Sequence, residues 1–439
     1  MKLKTILVLG IGRSSHYLLD YLQQNAEKNN WKIIACDKNA DDVISKTIGM
    51  QYISARAINI EDVFELKQAV VESDLVVSLL PPTLHFTVAK VCLELGKHLA
   101  TASYISPEMQ SLDSMAKEKK LIFINEVGLD PGIDHMSAMY LLTRLKNKGA
   151  EIISFESYCG GLIAEEDCIG NPWKYKFSWN PMNVILAGQG GNSRYKKDNV
   201  VHEISPDLVF EDSVELDLQG IGKLDAYPNR DSLSYIPKYN LHAAHTFIRG
   251  TLRRENFCKA WNILVKFGFT DNQEKVPAEI INWNKLVTWK TQKKQDELFS
   301  NWLISKKLIT PILKEHFDFL ESEQILDADT AAGKLLQLLQ VKWHMSPKDK
   351  DEVLLWHRIQ YVQNSVVKTL TSTLLVMGEN ESHTAMARTV GLPLALAVEA
   401  ILTEKVKDYG VQAPISENWY NFILPALEAE GLRFTESDF

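Results

Sequence analysis

The sequence predicts an α/β protein: a doubly wound parallel sheet, then a region of antiparallel strands, then a long helical stretch. Three observations carry this. Short apolar runs alternate with helical patterns up to about residue 125, as parallel strands joined by crossover helices require. A glycine turn, Gly10-Ile11-Gly12, separates the first run from the first helical pattern. The stretch Asn125-Glu-Val-Gly-Leu-Asp-Pro-Gly-Ile-Asp-His-Met136 ends the alternation and reads as a hinge beside a cleft.

In the first 125 residues, the run at 3–9 breaks at the glycines, and Tyr17, Leu18, Tyr21 and Leu22 then repeat at helical spacing. In a dinucleotide fold the first glycine makes the tight turn and the second lets backbone approach the pyrophosphate at the helix N-terminus. Ser15 stands where the fingerprint has its third glycine. The second strand, 31–36, ends at Asp37, about twenty residues downstream, where a carboxylate accepts ribose hydroxyls and repels a 2′-phosphate. Asp37 therefore predicts NAD, with NADP left open by Lys38 and Arg56 nearby in sequence. Strands at 51–57, 74–80, 98–101 and 121–125 bring the predicted sheet to six, and ligands bind beyond the carboxyl ends of such strands. That rule places Pro81-Pro82, Ser103-Tyr104 and Asp130 around one crevice. In the hinge, Asp134 is expected to cap a helix over 136–146.

A strand at 152–158 leads to Cys159-Gly-Gly161 and a tryptophan-rich loop at 171–181, and further strands lie at 200–204 and 214–218. Two segments, Tyr227-Pro-Asn-Arg-Asp-Ser232 and Arg249-Gly-Thr-Leu-Arg253, carry arginines suited to an anionic ligand, although a lone arginine more often solvates a strand end. Residues 257–340 read as helical, with core tryptophans. Strands return at 352–362 and 366–377, an apolar helix follows at 383–402, and the tail from 414 is expected to be helical.

A chain of 439 residues is too long for one hydrophobic core, and 45% apolar with 24% charged residues is a globular composition. The net charge of -8 argues against nucleic acid or an anionic membrane as partner. The five cysteines form no CxxC pair and there is no HExxH, so no metal or disulfide framework is expected. Neither a signal segment nor an unbroken apolar run of membrane-spanning length is read, so the expected location is the cytoplasm.

Several segments in series carry a more specific signal: Thr101-Ala-Ser-Tyr-Ile105, Gly128-Leu-Asp-Pro-Gly-Ile-Asp-His-Met136, Ser157-Tyr-Cys-Gly-Gly-Leu162, Tyr175-Lys-Phe-Ser-Trp179, the two arginine segments, and Met386-Ala-Arg-Thr-Val-Gly-Leu-Pro393. In this order the chain resembles the saccharopine dehydrogenases of the L-glutamate-forming type, also called saccharopine reductases. The resemblance implies a variant Rossmann domain (1–133 and 385–439), a mixed α/β domain for substrate binding and dimerisation (134–256 and 341–384) and an all-helical insertion (257–340).

It also implies a homodimer and an NAD(P)-dependent, reversible oxidative cleavage of saccharopine to L-glutamate and 2-aminoadipate 6-semialdehyde, a step of lysine metabolism. By the same resemblance, Gly10, Gly12, Arg13, Asp37, Asn59, Leu79 and Ser103 lie near the cofactor, and Ser103, Tyr104, Asp130, Arg230, Thr251, Leu252 and Arg253 bind substrate. Asp130, Tyr104, Cys159 and His135 are the candidate proton-handling groups, with Asp130 preferred. The segments Arg13-Ser-Ser-His-Tyr17 and Ile163-Ala-Glu-Glu-Asp-Cys-Ile169 depart from the family pattern. Two other readings stand beside this one: a relative acting on another amine-linked polycarboxylate or carboxylated polyamine, and an inactive nucleotide-binding homologue.

Overall fold

The computed structural model describes residues 2–438, which divide into two compact units, 2–149 with 382–434 and 150–381 with 435–438. In the first, six strands alternate with helices: β1 (Lys4–Leu9), β2 (Trp31–Asp37), β3 (Ile53–Ala57), β4 (Leu75–Ser78), β5 (His98–Thr101) and β6 (Ile122–Ile124). They are parallel and ordered β6-β5-β4-β1-β2-β3, so the order reverses beside β1 and the strand ends there open a crevice. Near-continuous apolar runs make these strands. Ile6, Leu7, Val8 and Leu9 are all fully buried, as a sheet covered on both faces demands.

The second unit is built on a mixed sheet of β7 (Glu151–Ile163), β8 (Ser193–Lys197), β9 (Val200–Ile204), β10 (Val214–Leu218), β11 (Gly222–Pro228), β12 (Thr246–Arg254), β13 (Asp351–Gln363) and β14 (Val366–Met377). At its centre β12 runs parallel to β7, and β13 pairs antiparallel with both β7 and β14. Between β12 and β13 lie short helices, among them Phe257–Lys266, Trp283–Thr291 and Ala331–Lys342. Of the tryptophans in this stretch, Trp261 and Trp283 are buried with Trp173 and Trp343 in one aromatic cluster, as the spacing suggested, while Trp289 and Trp302 pack against it partly buried.

The C-terminal part of the chain returns to the first sheet. A strand that the pattern did not reveal, β15 (Gly410–Gln412), pairs parallel with β6 and makes a sheet of seven where six strands were expected. The tail is likewise not all helix: after Glu417–Ala429 comes β16 (Phe434–Asp438), which joins the second sheet beside β14. By length and mean composition the helix Ala385–Leu402 is apolar enough to cross a membrane, its 18 residues having a mean hydropathy of 1.6, although Arg388 and Glu399 break the apolar run. Here 72% of that window is buried, which is the position of a core helix. Gly391 lets it pack closely on the first helix (His16–Asn29), since a Cβ there would lie 2.9 Å from the Leu18 amide nitrogen.

Candidate active site

Unit one supplies the glycine turn. Gly10 has a φ of +92°, and a Cβ on it would lie 3.0 Å from the Leu79 carbonyl, so only glycine lets β1 and β4 end side by side here. Gly12 begins a 3-10 turn over Arg13–Ser15, and a Cβ on it would meet nothing within 4 Å, which leaves its backbone open to close approach by a ligand. Ser15, in the third-glycine position, is buried and donates to the Gly12 carbonyl at 2.8 Å. Asp37 closes the turn from the end of β2, its carboxylate accepting from the Ile11 amide at 2.8 Å and from the Lys38 amide at 2.7 Å. These residues fit a dinucleotide: an open backbone at a helix start and an acid at the ribose position.

A cation also stands at this turn. Lys46 donates to the Ile11 carbonyl at 2.6 Å, a feature the sequence spacing did not single out. Arg13 is exposed on the turn, and Asn59 is exposed in the loop after β3, next to Ile58, whose amide bonds the Asp37 carbonyl at 2.9 Å.

The hinge stretch folds back on the loop after β5. Glu126 has its amide on the Ser103 carbonyl at 3.0 Å, and its buried carboxylate takes the Ile105 amide at 3.1 Å and pairs with His135 at 2.9 Å. This clamp holds Ser103 and Tyr104 beside Asp130, and the Tyr104 hydroxyl donates to the Asp130 carboxylate at 3.3 Å. His135, a candidate base in the sequence, is fully buried in that clamp between Glu126 and Asp134. Asp134 does not occupy the capping position predicted for it. Gly132 is the N-cap of the helix Ile133–Asn147, and the Asp134 side chain, inside the first turn, accepts from the Gly132 amide at 2.6 Å.

Ser103 Oγ lies 2.7 Å from His85 Nε2, and His85 Nδ1 lies 2.8 Å from Ser78 Oγ. Sequence reasoning missed His85, because one histidine on an apolar helix reads as core. Burial pushes its pKa down to about 4.

In unit two the register across β11, β12 and β7 decides what faces together. Tyr227, Thr251 and Cys159 share a row, and Arg249 and Arg253 lie on the same face two residues either side of Thr251. Arg253 is 3% exposed, with its guanidinium 5.3–5.7 Å from the ring centres of Tyr175, Tyr227 and Phe257. Its Nη1 donates to the Leu252 carbonyl, its Nε has no hydrogen-bond partner, and no carboxylate among the described residues pairs with it. Asp225, its cross-strand neighbour, accepts instead from the Cys258 amide at 2.8 Å.

The Leu252 side chain points the other way, into an apolar cluster with Leu224 and Ile248, so only its backbone faces Arg253. Arg230 is exposed in the turn after β11, beside Asn229, which accepts from the Thr251 hydroxyl at 2.8 Å. A cavity of about 310 Å³ in this unit is lined by Tyr158, Ile248 and Arg358, and so opens on the Leu252 side of the sheet, away from the Arg253 row.

Parallel sheet, glycine turn and strand-end acid define a Rossmann-type dinucleotide-binding protein that also carries a second, mixed sheet. Residues 6–124 match the model of the saccharopine dehydrogenase NADP binding domain and residues 128–432 that of the saccharopine dehydrogenase C-terminal domain. The chain belongs to the saccharopine dehydrogenase family. A saccharopine dehydrogenase [NADP(+), L-glutamate-forming] of Pyricularia oryzae is 32% identical over 433 residues, 95% of this chain and 94% of that protein. The mitochondrial alpha-aminoadipic semialdehyde synthase of Bos taurus is 33% identical over 98% of this chain, which spans 47%, about half, of that relative's length. The apo saccharopine dehydrogenase (L-Glu forming) from Saccharomyces cerevisiae superimposes with a TM-score of 0.89 at 27% identity, covering 99% of this chain and 100% of that one.

Proposed function

We propose that the chain catalyses reversible, pyridine-nucleotide-dependent oxidative cleavage of saccharopine to L-glutamate and 2-aminoadipate 6-semialdehyde. The observation that carries this is Arg253. A buried guanidinium without a carboxylate of its own is costly unless an anion binds it, and a secondary amine bearing three carboxylates supplies one. Arg253 would take one carboxylate in a forked pair, and the exposed Arg230 near Thr251 another.

The nicotinamide supplies the hydride acceptor when bound. The residues of this chain position the substrate and move protons. Asp130, with Tyr104 on one carboxylate oxygen, would receive the proton of the bridging amine as hydride leaves the adjoining carbon. Water then adds to the resulting imine, and the carbon–nitrogen bond breaks to release the aldehyde and glutamate. Cys159, beside Thr251, is the proton-handling candidate in the second unit.

Of the two dinucleotides we propose NAD. Asp37 sets a negative charge at the ribose end of the turn, and two backbone amides fix its orientation. Lys46 and the NADP(+) in the names of the fungal relatives weigh on the other side.

The test is the initial rate of saccharopine-dependent nicotinamide reduction, with NAD and NADP in parallel. A rate higher with NAD supports both parts. A preference for NADP keeps the reaction and assigns the 2′-phosphate to Lys46. No rate with either, from protein that still binds dinucleotide, transfers Arg253 to another amine-linked polycarboxylate.

A further inference from the structure

Three side chains at the end of β4, in the first turn of the helix Pro82–Leu95 and after β5 form a chain whose direction can be read. Ser78 is fully buried, and His85 Nδ1 is the sole hydrogen-bond partner of its hydroxyl among the described residues. If Nδ1 carried the imidazole proton, the Ser78 hydrogen would be buried without an acceptor. The arrangement that satisfies all three groups has Ser78 donating to Nδ1 and the proton on Nε2. Nε2–H then donates to Ser103 Oγ, which has no other partner among the described residues and is half-buried.

We propose that Ser78 and His85 fix the polarity of Ser103, so that its hydroxyl hydrogen is always directed outward, to an acceptor oxygen of the bound reactants. That oxygen is a substrate carboxylate or the carboxamide oxygen of the dinucleotide. His85 is thus a positioning residue, acting through Ser103. Burial keeps it neutral across the physiological range, so the direction of the chain does not change there. The proposal rests on the reading of Ser103 as part of the saccharopine site.

Two measurements test it. The first needs no turnover: long-range proton–nitrogen correlation spectra of the protein labelled with 15N-histidine, with the His85 signals assigned by their loss in His85→Gln. A neutral ring protonated at Nε2 is expected, and Ser78→Ala removes what enforces it. A ring protonated at Nδ1 overturns the proposal.

The second is kinetic. His85→Asn cannot reach Ser103 and is expected to lower kcat/KM about tenfold, whereas His85→Gln, whose amide nitrogen replaces Nε2, recovers most of the loss. In a Ser103→Ala background His85→Asn should have no further effect. A rise in KM for saccharopine assigns the oxygen to a carboxylate, and a rise in KM for dinucleotide assigns it to the carboxamide. Equal losses with Ser103 present or absent overturn the proposal. Absence of saccharopine turnover in the unaltered protein would instead sink the substrate assignment, and the spectrum would still decide the polarity of the chain.

Discussion

At the scale of single residues, Arg253 sets function against stability. Its charge is buried among three rings, whose faces attract a guanidinium, but no carboxylate among the described residues balances it. A neutral side chain of similar length should therefore fold at least as well. Arg253→Met is expected to leave Tm unchanged or raise it, while kcat/KM for saccharopine falls by roughly a hundredfold, about 3 kcal/mol, the upper range for a hydrogen bond to a charged group. Dinucleotide affinity should not change, because the residues assigned to it lie in the other unit. Calorimetry and steady-state kinetics on the one variant check both. A large fall in Tm would mean that the guanidinium is a structural member of the aromatic cluster.

At the scale of elements, the close seat of Ala385–Leu402 on the first helix makes a second prediction. Alanine for Gly391 gains up to about 1 kcal/mol in helix propensity. Against this, the new Cβ would lie 2.9 Å from the Leu18 nitrogen and 3.2 Å from the Ser14 carbonyl oxygen, and such overpacking costs about 1–3 kcal/mol. The clash should win because both opposing atoms are backbone. Gly391→Ala is expected to lower the denaturation midpoint and to weaken dinucleotide binding, since Ser14 belongs to the phosphate turn. An unchanged midpoint would show that the two helices separate freely.

The glycine turn, Asp37 and the arginine segments were legible in the sequence because each is local: a turn, a strand end, a charge on a strand. The close seat of Gly391 on the first helix was not, because that residue lies on a helix far along the chain from the turn it packs on. The strand Gly410–Gln412 has three residues, too few to show a period, and Phe434–Asp438 is a mostly exposed polar strand. His85 and Glu126 become visible only when β4, β5 and the hinge are brought side by side.

At the scale of the whole molecule, each unit buries one histidine whose pKa falls to about 4, His85 in the first and His316 in the second. The cause in both is burial, which disfavours the imidazolium. Above the ordinary value of 6.5 neither state takes up a proton; between about 4 and 6.5 only the unfolded chain does. Stability from these groups is therefore complete at pH 7 and is lost on acidification, roughly 2 kcal/mol for each by pH 5. Asp225, Glu321 and Glu352 act in the opposite sense, since burial raises their pKa values and the folded protein takes up their protons first. The histidine part is isolated by His316→Phe.

The His316 ring sits edge-on to Trp173 at 5.2 Å, and neither of its nitrogens makes a well-formed hydrogen bond among the described residues, the Leu313 backbone giving only a minor attraction, so phenylalanine should pack with little polar penalty. Four of the five fully buried tryptophans lie in the second unit, so their fluorescence follows mainly its unfolding, even if the two units melt separately. Between pH 7 and pH 5 the variant should lose about 2 kcal/mol less than the unaltered protein. Equal losses in the two proteins would mean that His316 takes up its proton in the folded state, and that the aromatic cluster admits water around it.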